Sequence, residues 1–250
     1  MSEIQFLPRE GGERLAYRRV MGQEPGVFWL SGFKSDMSGT KAAYLEAWAR
    51  AKGRAFLAFD YFGHGASSGD FLLGTIGRWN ADALAALDAL TQGPQILVGS
   101  SMGGWVALLL ALARPERVKG VVLVAPAPDF TEDLIFARAT AEMRAAWDSS
   151  GAWHRPSVYG EPYPITWRLI EEARAHLLLR APISIHAPVH ILHGMRDADI
   201  PYGRSLVLAE KLESNRVLVE FSKSGDHRLS TEGDLERLVR AVQAMVGEQG

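Results

Sequence analysis

Three residue types that together make an alcohol reactive near neutral pH occur in this chain in suitable settings. They are a serine in a glycine-flanked turn, an aspartate and a histidine, each placed after an apolar run. Gly99-Ser100-Ser101-Met102-Gly103 matches G-x-S-x-G, with an apolar β-rich run at 95–99 before it and a helix-period run at 102–113 after it. A strand that turns abruptly into a helix leaves its middle residue in strained backbone geometry with Oγ projecting. Small residues two positions to either side let the chains pass. Ser101 is therefore the candidate nucleophile, and its neighbour Ser100 lies off the spacing. The helix that begins at Met102 would aim free N–H groups and its positive dipole end at the same spot, suiting a developing oxyanion. The plain alternative is a Gly/Ser turn without chemistry; the apolar strand before it argues against that.

A serine hydroxyl needs a base of pKa near 7 within hydrogen-bond reach, and that base needs a carboxylate to orient it. His193-Gly194-Met195-Arg196-Asp197 follows the run 189–193, which puts Asp197 in a loop at a strand's carboxyl end, where open α/β sheets build their sites. Ser224-Gly225-Asp226-His227 follows the run 216–221 in the same way. Asp199 is an alternative acid, disfavoured by the H-G-x-x-D spacing, and Asp129 is a more remote one. Asp226 adjoins His227 but faces away from it if the backbone is extended. His186, His190 and His193 superficially resemble a metal cluster. Pro188 breaks any helix joining the first two, and 190 and 193 fall on opposite faces of one strand, so no metal is expected. His64, in Asp60-Tyr61-Phe62-Gly63-His64-Gly65, is read as a structural loop residue. For the oxyanion, the backbone N–H groups of Phe33, in Ser31-Gly32-Phe33-Lys34-Ser35, and of Met102 are the expected pair.

The elements that must position these residues alternate between strand and helix. Strand runs fall at 14–20, 27–31, 55–60, 95–99, 118–125, 189–193 and 216–221. Helix-period stretches fall at 39–51, 78–90, 102–113, 202–212 and 231–246. That rhythm predicts an α/β fold, a mostly parallel sheet with helices on both faces. The run 14–20 alternates and carries Arg14, Arg18 and Arg19, as expected of an antiparallel edge. Between 129 and 187 the rhythm breaks: no strand run is visible, and helix-like stretches at 132–146 and 165–179 flank a Gly-, Pro- and aromatic-rich connection. This predicts a helical cap inserted into a single domain spanning 1–250. Trp147, Trp153, Tyr159, Tyr163 and Trp167 are too many rings for a polar loop, so they either glue the cap down or line a substrate pocket. Trp147, Trp153, Tyr159 and Trp167 are the candidate substrate-binding residues.

Composition narrows the classes. In 250 residues, 47% hydrophobic and 22% charged usage excludes disorder, and Lys+Arg 27 against Asp+Glu 29 provides no field to gather nucleic acid. Zero cysteines remove thiolate zinc sites, iron–sulfur ligation and a cysteine nucleophile. No signal or transit segment is visible and no apolar run is long enough to span a bilayer, which predicts a cytoplasmic location. No cofactor is expected, and oligomeric state is not legible.

The order Ser101, Asp197, His227 is that of the α/β-hydrolases. With these residues assembled, the chain resembles that superfamily over nearly its whole length. Three blocks carry a closer likeness: Ser31-Gly32-Phe33-Lys34-Ser35-Asp36-Met37-Ser38-Gly39-Thr40-Lys41-Ala42, Phe59-Asp60-Tyr61-Phe62-Gly63-His64-Gly65 and Gly99-Ser100-Ser101-Met102-Gly103-Gly104-Trp105. They are similar to the family of the mitochondrial acyl-protein thioesterase, a depalmitoylase that also hydrolyses mycophenolic acid acyl-glucuronide. The resemblance implies a serine hydrolase acting on small-molecule esters, acyl thioesters or S-acylated protein. The cap's aromatic rings add the expectation of an apolar acyl group. A catalytically silent ligand-binding protein of the same fold is the rival. The rival class predicts no turnover, whereas a histidine base predicts a kcat/KM that rises with pH through about 7, checked by a pH–rate profile on an activated ester.

Overall fold

The computed structural model describes residues 2–156 and 162–247. Strands β1 (Gln5–Pro8), β2 (Arg14–Val20), β3 (Gln23–Leu30), β4 (Arg54–Phe59), β5 (Gln95–Ser100), β6 (Val118–Val124), β9 (Val189–Gly194) and β10 (Val217–Ser222) form an eight-stranded sheet in the order β1-β2-β4-β3-β5-β6-β9-β10. β1 pairs antiparallel with β2, and β2 antiparallel with β4; every pairing from β4 through to β10 is parallel. The antiparallel edge expected from the charged alternation of 14–20 is therefore present. β1 went unread because it pairs on one side only and is largely exposed, so its residues carry no burial pattern.

Because side chains alternate across a strand, each central strand feeds two cores. Ile96, Val98, Val122 and Val124 face helices α1 (Thr40–Ala51) and α7 (Glu232–Gly247), while Leu97, Val121 and Leu123 face α2 (Ile76–Leu90) and α3 (Met102–Ala113). β5 is buried along its whole length, as a strand covered on both faces must be. α3 is apolar on all sides and buried from Met102 to Leu108, which fits a helix enclosed between the sheet and the overlying segments. α6 (Gly203–Lys211) connects β9 to β10.

The segment 129–187 departs from the helix-only expectation. It contains α4 (Ala141–Ser150) and α5 (Trp167–Ala173), and between them β7 (Ala152–Arg155) pairs antiparallel with β8 (Tyr163–Thr166). The stretch read as one helix over 132–146 divides into a π turn at Thr131–Ile135, a 3-10 turn at Phe136–Arg138 and α4. Four-residue strands are too short to show a period of their own, and only their mutual pairing creates them.

The site depends on the β5–α3 turn. A Cβ on Gly103 would lie 2.1 Å from Leu30 O, a backbone atom that cannot swing aside. Gly103→Ala is expected to destabilise the protein by about 2 kcal/mol or more through overpacking, read as a lowered urea midpoint.

Candidate active site

β5 ends at Ser100, and Ser101 bridges to α3 with φ 54° and ψ −119°. This left-handed backbone turns the hydroxyl out of the sheet toward the loops that follow β9 and β10. Ser101 Oγ lies 3.1 Å from His227 Nε2, and His227 Nδ1 lies 2.7 Å from Asp197 Oδ2. Three side chains far apart in the sequence thus form one continuous hydrogen-bonded line. Asp199 is turned elsewhere: its Oδ1 accepts from Arg155 of β7 at 2.9 Å. Asp129 accepts from the N–H groups of Leu178 and Leu179, both at 2.8 Å, and so anchors the returning end of the inserted segment. Asp226 Oδ1 accepts from Arg228 N and Leu229 N, each at 3.0 Å, folding the loop that carries His227.

The Asp197 side chain is fully buried, and its carboxylate is satisfied on both oxygens. Oδ1 accepts from Asp199 N and Ile200 N, both at 2.8 Å. Burial alone would raise its pKa, but hydrogen bonds from His193 and His227, with help from Ile200 N–H, outweigh burial and hold the carboxyl well below the ordinary range. The group is thus an anion near neutral pH. Its loop is tied to that of His227 through Arg196 N–H donating to Gly225 O at 2.9 Å and Met195 N–H donating to Ser222 O at 2.8 Å. Gly194 permits this contact, since a Cβ there would fall 2.3 Å from Gly225 O. From the other side, the half-buried Lys41 ammonium donates to Arg228 O and, at 3.4 Å, to Ser230 Oγ. Burial brings the Lys41 pKa down to about 8, with the Asp226 carboxylate working in the opposite direction.

The loop expected to donate to an oxyanion is held by a set of buried polar contacts. Met37 N–H donates to Asp60 Oδ1 at 2.7 Å, Trp29 Nε1–H to Ser31 Oγ at 3.0 Å, and Ser31 Oγ–H to Asp36 O at 3.1 Å. Lys34, with φ 59°, donates its N–H to His64 Nε2 at 3.2 Å, while His64 Nδ1 lies 3.1 Å from Phe62 O. His64 is thus a neutral Nδ1–H tautomer that buttresses the loop from beneath, a finer role than the generic loop residue read from sequence. The Phe33 ring adds an apolar anchor, meeting Phe71, Trp79, Phe130 and Tyr163 edge-on with centroids 5.0–6.3 Å away. Phe33 and Met102 border the same cavity as Ser101. The Met102 N–H opens α3, where a helix leaves its donors unsatisfied.

That cavity has a volume of about 200 Å³, with Phe33, Ala127, Phe130, Ile165 and Ile200 as apolar walls and Ser101 and His227 in its floor. The tryptophans divide between two tasks. Trp147 and Trp167 pack against each other with tilted rings at 5.8 Å, Trp147 stacks on Phe136, Trp167 meets Phe136 at a tilt, and Trp147 Nε1–H donates to Ile165 O at 2.9 Å. They hold the inserted segment together instead of lining the cavity, because each ring finds its partners within that segment. Trp153 borders a second cavity of about 200 Å³ that shares Phe130, Arg155, Asp199 and Ile200 with the first. Tyr159 lies outside the described residues. The walls that sequence reasoning missed, Phe130, Ile165 and Ile200, carry no signal beyond being apolar.

Among the described residues, the potential metal ligands that converge are Asp197, Asp199 and His227, with ligand atoms within 4.8 Å of one another. Their donor atoms are already engaged with each other and with Arg155, and the set offers no further acid. His190 faces Glu220 at 3.4 Å and His193 faces Asp197, so those two histidines point to opposite sides of β9.

Comparison with known proteins shows the family to which the chain belongs. Residues 25–241 match the alpha/beta hydrolase family. The palmitoyl-protein thioesterase ABHD10, mitochondrial, of Homo sapiens is 38% identical over 247 residues, which is 98% of this chain and 80% of that protein. The solved structure of alpha/beta hydrolase domain-containing protein 10 from mouse superposes with a TM-score of 0.92 at 37% identity, covering 100% of both chains. A solved structure from Agrobacterium vitis S4 gives 0.93 at 40% identity over 98% of each.

His64 supplies a pH test. Burial lowers its pKa to about 4, against an ordinary value of about 6.5, so between those values the unfolded chain takes a proton that the folded chain refuses. Stability present above about pH 6.5 is therefore lost as pH falls towards 4. His64→Phe is expected to be less stable than wild type at pH 7 and to show a flatter loss across that window, measured as urea midpoints against pH.

Proposed function

Because the chain belongs to the α/β hydrolase family, we propose that this hydrolase is a serine esterase or thioesterase working through an acyl-enzyme. The observation that carries the reading is the line Asp197–His227–Ser101, with separations of 2.7 and 3.1 Å. His227 Nε2 takes the Ser101 proton as Oγ attacks the acyl carbon. The anionic Asp197 holds Nδ1–H, which fixes the tautomer and stabilises the imidazolium that forms. The Phe33 and Met102 N–H groups bind the tetrahedral oxyanion, and His227 then returns the proton to the leaving alcohol or thiol. Water, deprotonated by the same imidazole, releases the acid.

The substrate is proposed to be a carboxylic ester or acyl thioester with an apolar acyl group, in small molecules or on S-acylated protein. Support comes from the apolar walls beside Ser101 and from the relatives named as palmitoyl-protein thioesterases. Tyr163 and Phe130 line the cavity at Ser101, and Trp153, in the adjoining cavity, stands where a longer acyl chain would reach it. The cytoplasmic location expected from sequence draws no support from these relatives, which are named as mitochondrial; among the described residues no helix is long and apolar enough to cross a membrane. A binding protein without turnover has no use for the strained Ser101 backbone, which costs stability and aids only a projecting nucleophile.

Ser101→Ala is expected to lower kcat by on the order of 10⁶ while leaving the unfolding midpoint near wild type, and to abolish covalent labelling by a fluorophosphonate. Near-wild-type turnover in that variant rejects the proposal. Across a panel of p-nitrophenyl esters and acyl thioesters, kcat/KM is expected to rise from acetyl to medium or long chains. A preference for acetyl alone counts against the apolar acyl site.

A further inference from the structure

The acid of the proposed triad has two imidazole donors on a single oxygen. Asp197 Oδ2 lies 2.7 Å from His227 Nδ1 and 3.0 Å from His193 Nε2. His193 belongs to β9, is fully buried, and touches neither Ser101 nor the cavity above it. Its tautomer follows from its surroundings. Nε2 faces two acceptors, Asp197 Oδ2 and Ile200 O at 3.1 Å, so it carries a proton. Nδ1 lies 2.7 Å from Oγ of Ser205 on α6, which is equally buried, and in the neutral ring it accepts that hydroxyl's proton. The chain Ser205 Oγ–H, His193 Nε2–H and Asp197 Oδ2 therefore polarises in one direction, toward the carboxylate.

We propose that His193 is a positioning residue of the reaction: as a second donor to Asp197 Oδ2, it sets both the orientation of that carboxylate and how strongly it holds protonated His227. The inference rests on the triad reading above and assigns the first residue of the H-G-x-x-D pattern a task of its own. An oxygen shared between two donors gives less to each than one serving a single donor. The imidazolium at 227 is stabilised less than it would be by an unshared oxygen, so the base stays free to lower pH. The same bond stops the carboxylate rotating when His227 swings between Ser101 and the leaving group. The other charged or titratable groups near His193 are Lys41 from α1, Glu220 from β10, and Asp234 and Arg237 from α7, which border a small cavity together with it. None of these is hydrogen-bonded to its ring, so Asp197 is the group through which it acts on the reaction.

The experiment compares wild type, His193→Leu, His193→Gln and Ser205→Ala in kcat/KM–pH profiles on one p-nitrophenyl ester, with fluorophosphonate labelling alongside. Wild-type turnover and labelling at Ser101 test the triad reading first; their absence defeats that reading before His193 is judged. His193→Leu is expected to move the acid limb to higher pH by about half a unit or more and to lower kcat at its plateau with KM unchanged. His193→Gln, which keeps an N–H donor, is expected to restore the limb most of the way to wild type. Ser205→Ala retains the ring but removes the hydroxyl that polarises it, so a smaller shift in the same direction is expected; if His193→Leu does not fold, this variant decides. An acid limb that stays at its wild-type position in the folded His193→Leu, or in Ser205→Ala when that variant decides, overturns the proposal. So does a His193→Gln profile displaced as far as that of His193→Leu.

Discussion

Ser101 occupies a backbone conformation that an L-residue adopts at a cost of about 1–3 kcal/mol, and the surrounding architecture supplies the restraint that keeps it there. Its N–H donates to Val124 O at 2.9 Å, while its carbonyl accepts from Gly104 N at 2.9 Å and Ala127 N at 3.1 Å. The strained residue is thus spanned between the end of β6 and the first turn of α3. Those bonds exist because β5 and β6 are parallel neighbours with Ser100 opposite Val124, both strands covered by helices on each face. The hydrophobic burial of the central strands is what makes the exposed geometry of one hydroxyl affordable.

The same sheet edge carries the polar part of the site. Burying a carboxylate is costly unless its lone pairs are used. At Asp197 they are used by two backbone N–H groups and two imidazoles, so the cost of burial becomes a rigid reference point for His227. The oxyanion loop follows the same rule, since Asp60 and the neutral His64 satisfy its N–H groups from below. Chemistry that needs placement to a fraction of an ångström is thereby referred to the sheet, through buried and half-buried hydrogen bonds.

The inserted segment is attached differently. Trp105 Nε1–H donates to His176 O at 3.0 Å and Gly77 N–H donates to Glu172 at 3.1 Å, while the ion pair Arg155–Asp199 has both side chains more than a quarter exposed. Exposed pairs of that kind contribute little each. Apolar burial carries the attachment: Ile165, Leu169, Ile170 and Ala173 share one continuous core with Leu97, Val121 and Leu123 of the sheet, while Trp147, Trp167 and Phe136 pack on one another within the segment.

Much of this was legible in the sequence, for a physical reason. Strands buried on both faces must be apolar runs, amphipathic helices must repeat every three to four residues, and a nucleophile on a strained turn needs glycines around it. Hence 95–99, 102–113 and the block Gly99 to Gly103 could be read without coordinates. Chain order and the H-G-x-x-D spacing favoured Asp197 over Asp199, but only the fold turns Asp199 away to Arg155. What the linear order could not contain is pairing between distant or weakly patterned segments. Examples are β1 on the sheet edge, β7 with β8 in the connection between two helix-like stretches, the two tryptophans that pack against each other, and His64 beneath the loop at 32–37. His193 is the sharpest case. From sequence it was one member of a dismissed histidine cluster; folding closes α6 over β9, so that its ring spans a buried hydroxyl and a buried carboxylate. Local composition determined which elements form and which serine is exposed, because those depend on burial and backbone sterics within a short window. The tertiary structure alone decided which polar groups meet, because each had to find a partner wherever the fold removed it from water.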